Sequence, residues 1–263
     1  MSWFAALILG IIQGLTEFLP VSSSGHLEIG KAILGIDPVE SLSFSIVVHG
    51  ATVLSTIVVF RKDLWELILG VVKFKWNWET RYVAMIAASM IPVLIVGAFF
   101  KDYVEQFFDG NLAFVGAMLL VTATLLSFSH FSKKREKEVT FGHALIIGVA
   151  QACAVLPGIS RSGATIATGL ITGVKKEKVA RFSFLMVLVP IIGANLMELM
   201  DKDPASQGSV SPLALVIGFI AAFVSGWAAC RWMIKIVSKS KLIYFAAYCV
   251  LVGVIAILWS TLS

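Results

Sequence analysis

Long apolar runs constrain the fold of this chain more than any other feature. A helix needs about 20 mostly apolar residues to cross the hydrocarbon core of a bilayer, and six runs satisfy this. Only 14% of the 263 residues are charged, which is too little to cover a water-soluble body of that size. The sequence therefore predicts an all-α polytopic membrane protein and excludes a soluble or disordered chain. The predicted spans are Leu42–Phe60, Tyr82–Phe100, Leu112–Phe131, Phe182–Met200, Leu213–Cys230 and Leu242–Leu262.

Two further apolar segments, 1–19 and 139–156, are each interrupted by proline and a polar tract, so they do not fit simple spans. Of the 21 basic residues, 17 lie in four groups, at 61–81, 133–137, 175–181 and 231–241. The positive-inside rule makes these groups cytoplasmic. Both flanks of the second segment are then cytoplasmic, so this segment should enter the membrane from the cytoplasm and return to it. The first segment should start and finish outside. We therefore predict two re-entrant helical hairpins, with both termini of the chain outside. Basic residues that are distributed over the connections between spans determine the orientation of those spans, which argues against a nucleic-acid-binding surface.

The two interrupted segments also match each other at an offset of 138 residues. Many weak matches on one diagonal indicate an internal repeat. Because three spans separate the copies, the second copy is inverted, as in membrane proteins with broken helices. We expect one integral membrane domain, 1–263, with two inverted-topology repeats at about 1–131 and 139–263. The matched pairs are Gly10 with Gly148, Gln13 with Gln151, Ser22 with Ser160, Ser24 with Ser162, Gly25 with Gly163, and Phe44-Ser45 with Phe182-Ser183.

Ionisable residues inside these apolar segments are candidates for function, because a charge in the membrane is costly. The repeat is chemically asymmetric: Glu17 and His26 belong to the first copy and Arg161 to the second. One composite site between the two breaks is therefore expected. Its candidate catalytic residues are Glu17, Ser23, His26 and Arg161. Its candidate substrate-binding residues are Gln13, Thr16, Ser22, Ser24, Gly25, Ser160, Ser162, Gly163 and Thr165.

The second tract is expected to lead into a helix whose N-terminal amides point into the cavity. Amides, hydroxyls and an arginine in this arrangement suit phosphate oxygens. His49, in the middle of a predicted span, is interpreted as a packing residue.

Two motifs carry a family resemblance. Residues 13–26 read QGLTEFLPVSSSGH and residues 157–165 read PGISRSGAT. In these motifs, and in length and span pattern, the sequence resembles the undecaprenyl-diphosphate phosphatase family of bacitracin-resistance proteins, the BacA/UppP type. The resemblance implies hydrolysis of a C55 polyprenyl diphosphate to the monophosphate and phosphate. This reaction recycles the lipid carrier of peptidoglycan synthesis at the bacterial inner membrane, in a site open to the outer face.

The resemblance also implies a divalent cation, Mg²⁺ or Ca²⁺, for which Glu17 is a candidate ligand. Expected partners are the bilayer, the lipid substrate and, as an open option, a second copy in a homodimer. The family's first motif permits Glu or Gln at the position of Gln13, and the glutamine found here leaves one acid in the pair, which disfavours schemes that need two carboxylates.

The chemistry leaves two mechanisms and two functions open. In the first mechanism Ser23 attacks the terminal phosphorus, Arg161 stabilises the developing charge and His26 is a general acid or base. Glu17 activates Ser23 directly, through Thr16 or through water, or it holds Mg²⁺. In the rival mechanism His26 is the nucleophile. The alternative function is a polyprenyl-phosphate transporter or flippase, since inverted repeats with broken helices are typical of transporters.

Overall fold

The chain folds into α-helices. A computed structural model describes residues 1–36, 42–100, 103–104, 106–108, 111–132, 136–200, 210–238 and 241–262. This part of the chain contains no β-strand; besides its helices it has a single bridge between Lys137 and Val174. The helices are α1 (Trp3–Phe18), α2 (Ser23–Leu34), α3 (Leu42–Val59), α4 (Arg61–Val72), α5 (Trp78–Phe99), α6 (Leu112–Phe131), α7 (Phe141–Cys153), α8 (Arg161–Ile171), α9 (Lys176–Met186), α10 (Leu188–Met200), α11 (Pro212–Ser238) and α12 (Ile243–Leu262), with a short 3₁₀ turn at Gln106–Phe108.

Four of these helices, α5, α6, α11 and α12, are long and apolar enough to cross a membrane. A fifth crossing is available if α3 and α4, which meet at an angle of 75°, form one broken span. The outward faces of the long helices are apolar, as at Leu94, Leu213 and Leu251. A soluble monomer rarely exposes so much contiguous apolar surface. The prediction of an all-helical, multi-pass membrane protein is therefore confirmed.

The predicted span Phe182–Met200 needs a correction, because it is not one helix. It is divided at Val187 between α9 and α10. Pro190 supplies the physical reason: proline has no amide hydrogen, and its ring collides with the carbonyl four residues earlier, here that of Met186. The hydropathy of the run did not register this interruption.

Small residues let the helices of the two interrupted segments approach other helices closely. α1 packs along α11, and α7 packs along α5. A Cβ atom built on Gly10 would lie 2.6 Å from the carbonyl oxygen of Gly218, and one on Gly148 would collide with the carbonyl oxygen of Ser89. Close backbone contact of this kind drives helix association where no hydrophobic effect operates between helices. Both contacts involve the glycines that match in sequence at an offset of 138 residues, Gly10 and Gly148.

The contact at Gly148 allows a direct test of packing. Replacing Gly148 by alanine places a methyl group against the backbone of α5, and we expect the Tm in detergent to fall by about 3–10 °C. Gly97 is the matched control, since a Cβ atom there would meet nothing within 4 Å. Gly97→Ala should leave the Tm within about 2 °C. Equal Tm values for both variants would show that α7 and α5 are not tightly packed.

Candidate functional site

The two interruptions of the apolar segments touch each other in the folded chain. The first lies between α1 and α2, and the second lies between α7 and α8. The hydroxyl of Ser162 donates to the carbonyl oxygen of Leu19 over 3.1 Å. A Cβ atom on Gly25 would lie 3.2 Å from the Cα atom of Gly158, whose φ of 97° requires glycine. The matched tracts therefore meet at one place, as the sequence predicted.

Both helices after the breaks begin with the same serine cap. The side chain of Ser22 accepts a hydrogen bond from the amide of Gly25 at 3.3 Å, and Ser160 accepts one from Gly163 at 3.1 Å. Ser22 has a φ of 70°, a conformation that non-glycine residues rarely adopt and that is common at functional sites. The free amides of two helix N-termini, which attract anions, consequently lie at the junction.

A partly buried cluster connects the two breaks. Arg161, at the start of α8, donates from Nη2 to Glu17 Oε1 near the end of α1. The other carboxylate oxygen of Glu17 accepts the hydroxyl of Ser23 at 2.7 Å and the side-chain amide of Gln13 at 3.0 Å. Four predicted site residues, from both interrupted segments, therefore form one network. In this network Gln13 acts as a donor to the single carboxylate.

Two polar atoms in this buried network have no hydrogen-bond partner among the described residues. They are Nη1 of Arg161 and Oε1 of Gln13. Buried polar atoms are nearly always paired, so an unpaired one needs an explanation. The free nitrogen of Arg161 is a cationic donor that an oxygen of a bound anion would satisfy. The cluster therefore has the chemistry of an anion site beside a serine hydroxyl that is already bonded to a carboxylate.

His26 is held apart from this network. Its Nδ1 lies 2.8 Å from the carbonyl oxygen of Ser22, and its Nε2 lies 2.8 Å from the hydroxyl of Tyr248 on α12. Since the carbonyl can only accept, Nδ1 carries the hydrogen and Nε2 accepts from the tyrosine. The two rings are also stacked, with centroids 5.6 Å apart. Both nitrogens of His26 are consequently occupied by groups other than Ser23 and Glu17.

The remaining candidate hydroxyls mostly bond to nearby groups. Thr16 donates to the carbonyl oxygen of Ile12 over 2.6 Å. Ser24 lies 3.4 Å from Ser22, and Ser160 lies 3.3 Å from Ser162, oxygen to oxygen. These side chains lie at the junction, but the direct bond from Ser23 to Glu17 makes a relay through Thr16 unnecessary.

Thr165 lies one turn into α8 and ties the arginine end of this helix to α9. Its hydroxyl donates to the carbonyl oxygen of Arg161 over 2.8 Å and lies 2.6 Å from the hydroxyl of Ser183. Thr165 and Ser183 are both fully buried. The contact fits a structural support for α8.

Sequence reasoning missed residues from other helices that support the site. Thr122 on α6 accepts from the amide of Ser160 at 2.9 Å and donates to the carbonyl oxygen of Gly158 at 3.2 Å, which fixes the second break. His49, interpreted as a packing residue, has its Nδ1 2.8 Å from the carbonyl oxygen of Ser45 on its own helix. Thr122 and Tyr248 lie in apolar spans without a motif, and the signal available in the sequence was that each is polar within such a span.

The described residues contain no group of three or more His, Cys, Asp and Glu side chains that could hold a metal ion. Glu17, the predicted ligand, is surrounded by donors from Arg161, Ser23 and Gln13. These hydrogen-bond donors already stabilise the negative charge of Glu17, which is what a bound cation would otherwise do. The residues of the site therefore do not fit a divalent ion held by protein ligands alone.

Taken together, the helices and the junction define a polytopic membrane protein in which a cluster of charged and polar side chains connects two interrupted apolar segments. The family model described as "Bacitracin resistance protein BacA" matches residues 6–255. The chain therefore belongs to the BacA family.

Three relatives that align with this chain over nearly their whole length have the same name. The chain is 59% identical over 266 aligned positions to a Bacteroides fragilis protein named undecaprenyl-diphosphatase, with all of both chains covered. A Parabacteroides distasonis protein of the same name is 58% identical, with 98% of each chain covered. A more distant relative so named, from Desulforapulum autotrophicum, is 40% identical, again with 98% of each chain covered.

Proposed function

We propose that this chain hydrolyses undecaprenyl diphosphate to the monophosphate and inorganic phosphate within the membrane. The observation that carries the proposal is the partly buried Arg161, which pairs with Glu17 through one nitrogen and keeps its buried Nη1 free for a phosphate oxygen. The name shared by full-length relatives fits this chemistry. Since those relatives are named as hydrolases, the enzyme is favoured over the transporter. The product would return to the carrier pool for peptidoglycan synthesis.

For the architecture, we propose the two inverted repeats, each with a re-entrant hairpin and three spans. α1 and α7 begin 138 residues apart, at Trp3 and Phe141, and α2 and α8 do so too, at Ser23 and Arg161. The serine caps of α2 and α8 repeat the same bond. Each hairpin packs on a span of the other repeat, α1 on α11 and α7 on α5. Because each hairpin packs on a helix of the other repeat, the arrangement supports one composite site.

In the proposed first step, Ser23 attacks the terminal phosphorus in line with the bridging oxygen. The bond from Ser23 Oγ to phosphorus forms, the bond from phosphorus to the bridging oxygen breaks, and polyprenyl monophosphate leaves. The serine proton passes to Glu17, whose Oε2 already accepts it at 2.7 Å. Arg161 Nη1 and the amides of α2 and α8 stabilise the charge on the equatorial oxygens, which is the main task in phosphoryl transfer.

Before the second step Glu17 releases the serine proton to solvent. A water molecule then attacks the phosphoserine with Glu17 as the base, the bond from phosphorus to Ser23 Oγ breaks, and Ser23 takes from Glu17 the proton that the water gave up, as phosphate leaves. We propose that His26 acts as a general acid or base in these proton transfers and that Tyr248 holds its ring. Ser23 is preferred over His26 as the nucleophile, because both ring nitrogens of His26 are already bonded while the Ser23 hydroxyl points at a base.

We propose that the protein lies in the bacterial inner membrane with its site open to the outer face, where the used carrier appears. The basic groups at 61–81, 133–137, 175–181 and 231–241 would then be cytoplasmic and both termini outside. A divalent cation, Mg²⁺ or Ca²⁺, would arrive with the diphosphate, whose oxygens suit it. A homodimer also stays a proposal.

The function is tested by phosphate release from C55 diphosphate, using purified full-length protein with and without EDTA. The wild type should release one phosphate per substrate. Glu17→Gln should be slower by about 10²- to 10⁴-fold, because the serine loses its base. Thr124→Ala is the control, since Thr124 is exposed on α6 and, among the described residues, its hydroxyl bonds only within that helix, to the carbonyl oxygen of Leu120. No release by the wild type, or full activity of Glu17→Gln, would contradict the proposal.

The pairing of His26 with Tyr248 gives a second prediction. Tyr248→Phe keeps the stacked ring and removes the hydroxyl bonded to Nε2, and we expect kcat to fall about two- to tenfold with little change in KM. Tyr244→Phe on the same helix is the matched control, since Tyr244 is exposed. If both variants keep the wild-type kcat, Tyr248 does not position His26.

A further inference from the structure

The helix α4 has a feature that hydrolysis does not require. It turns 75° away from α3 and has 12 residues, so it reaches only ~18 Å, too short to cross a bilayer. Leu67 and Gly70 are buried against the protein. The opposite face carries Trp65, which is 62% exposed, and three further exposed apolar side chains. These are Ile68, Leu69 and Val72. A short helix with one apolar face turned outward is typical of an interfacial helix.

The turn after α4 exposes a large aromatic ring at the cost of backbone strain. Phe74 has a φ of 49° and is 95% exposed. The left-handed region is unfavourable for a bulky residue and persists only where the surrounding structure imposes it. Here the side chain of Asn77 does so, because it donates to the carbonyl oxygen of Gly70 over 2.8 Å and caps α5 by accepting from Thr80. The turn therefore holds Phe74, and the neighbouring exposed Trp76, away from the protein.

The acidic and the basic side chains of this segment have different surroundings. Its two carboxylates are directed at Arg181 on α9, with Asp63 Oδ1 2.7 Å from Nε and Glu66 Oε2 3.4 Å from Nη2. Lys62, Lys73 and Lys75 have no carboxylate within ion-pair distance among the described residues. The segment therefore presents unneutralised cations beside exposed aromatic rings.

The other repeat has no such element in its sequence. An offset of 138 maps residues 61–76 onto 199–214, which contain one lysine and no aromatic residue. The aromatic and basic segment thus has no counterpart at the equivalent position of the second copy, and it lies on the side that the positive-inside rule makes cytoplasmic. A requirement of the shared fold would have placed it in both copies.

We propose that α4 and the turn at 73–76, here called the α4 surface, bind anionic phospholipids at the cytoplasmic face. Trp65, Phe74 and Trp76 enter the boundary between headgroups and acyl chains. Lys62, Lys73 and Lys75 contact the headgroup phosphates. Cations near an anionic leaflet and amphipathic aromatic rings at its boundary are the two components of such binding. This site is separate from the proposed phosphatase centre and does not depend on that activity.

Binding is measured by native mass spectrometry of the full-length protein, titrated with phosphatidylglycerol or with phosphatidylcholine of the same chains. The wild type should prefer phosphatidylglycerol. The triple variant Lys62→Gln/Lys73→Gln/Lys75→Gln should lose about 10- to 100-fold of that affinity. The matched control, Lys175→Gln/Lys176→Gln/Lys178→Gln, removes three charges predicted on the same side and should keep the wild-type preference. Equal losses in both triple variants, or no preference in the wild type, would overturn the proposal.

The insertion of Phe74 is measured independently by labelling Phe74→Cys with a nitroxide in a Cys153→Ser background, since the other two cysteines are buried. In nanodiscs containing phosphatidylglycerol, the label should be accessible to oxygen and shielded from a water-soluble relaxation agent. A fully water-accessible label would contradict the proposal. Phosphate release by the lysine triple variant in detergent should equal that of the wild type, so a failure of lipid binding is distinguishable from a failure of the hydrolase proposal.

Discussion

Replacing Arg161 by alanine is expected to lower the kcat for undecaprenyl diphosphate hydrolysis by about 10³- to 10⁵-fold, the range in which arginines act in phosphoryl transfer. Nη1 of Arg161 is buried and has no partner among the described residues, so its proposed role is the transferring phosphoryl group. Arg161→Lys keeps the charge but loses the planar pair of donors. It should recover only part of the rate. The measurement is phosphate release under saturating substrate.

Loss of folding must be separated from loss of catalysis in this experiment. Arg161→Ala leaves Glu17 as a buried charge without its cation, which costs about 3–5 kcal/mol. The double variant Glu17→Gln/Arg161→Ala removes that charge and should regain most of the lost Tm while staying inactive. If the double variant is stable and hydrolyses the substrate at more than a tenth of the wild-type rate, Arg161 does not stabilise the transition state.

Hydropathy predicted most of the helices because the bilayer requires a long apolar run from every helix that crosses it. The predicted run Leu112–Phe131 has the same bounds as α6. A count of apolar residues contains no direction, however, so the bend of 75° between α3 and α4 was not predicted. The division between α9 and α10 was missed because Pro190 was counted only as part of an apolar run.

The residues of the candidate site were likewise predicted from the sequence, whereas their contacts with one another were not. Glu17 and Arg161 were predicted because a charge in an apolar segment is costly and therefore informative. Their direct pairing, across 144 positions of sequence, depends on how the two breaks meet in space. Tyr248 is 222 positions from His26, in a helix whose other features are those of an ordinary span. Contacts of this kind follow from tertiary packing, which local periodicity does not determine.

Replacing Ser23 by alanine is expected to abolish the phosphoenzyme and to lower kcat by at least about 10³-fold, since the nucleophile and its base act as one unit. The hydroxyl of Ser23 is the one that reaches Glu17 directly, at 2.7 Å. Substrate labelled with ³²P in the terminal phosphate, quenched in acid within the first turnover, should leave an acid-stable label on the wild type. Peptide mapping should place that label on residue 23.

Ser24→Ala is the matched control, because Ser24 follows in the same tract and contacts Ser22, not the carboxylate. It should still form the labelled phosphoenzyme. Phosphohistidine is lost in acid and survives in base, so the two proposed nucleophiles give opposite stabilities. A label that appears only under basic quenching, that persists in Ser23→Ala and that maps to His26 would replace the serine mechanism by the histidine one. Glu17 and Arg161 would then bind the diphosphate without activating a serine.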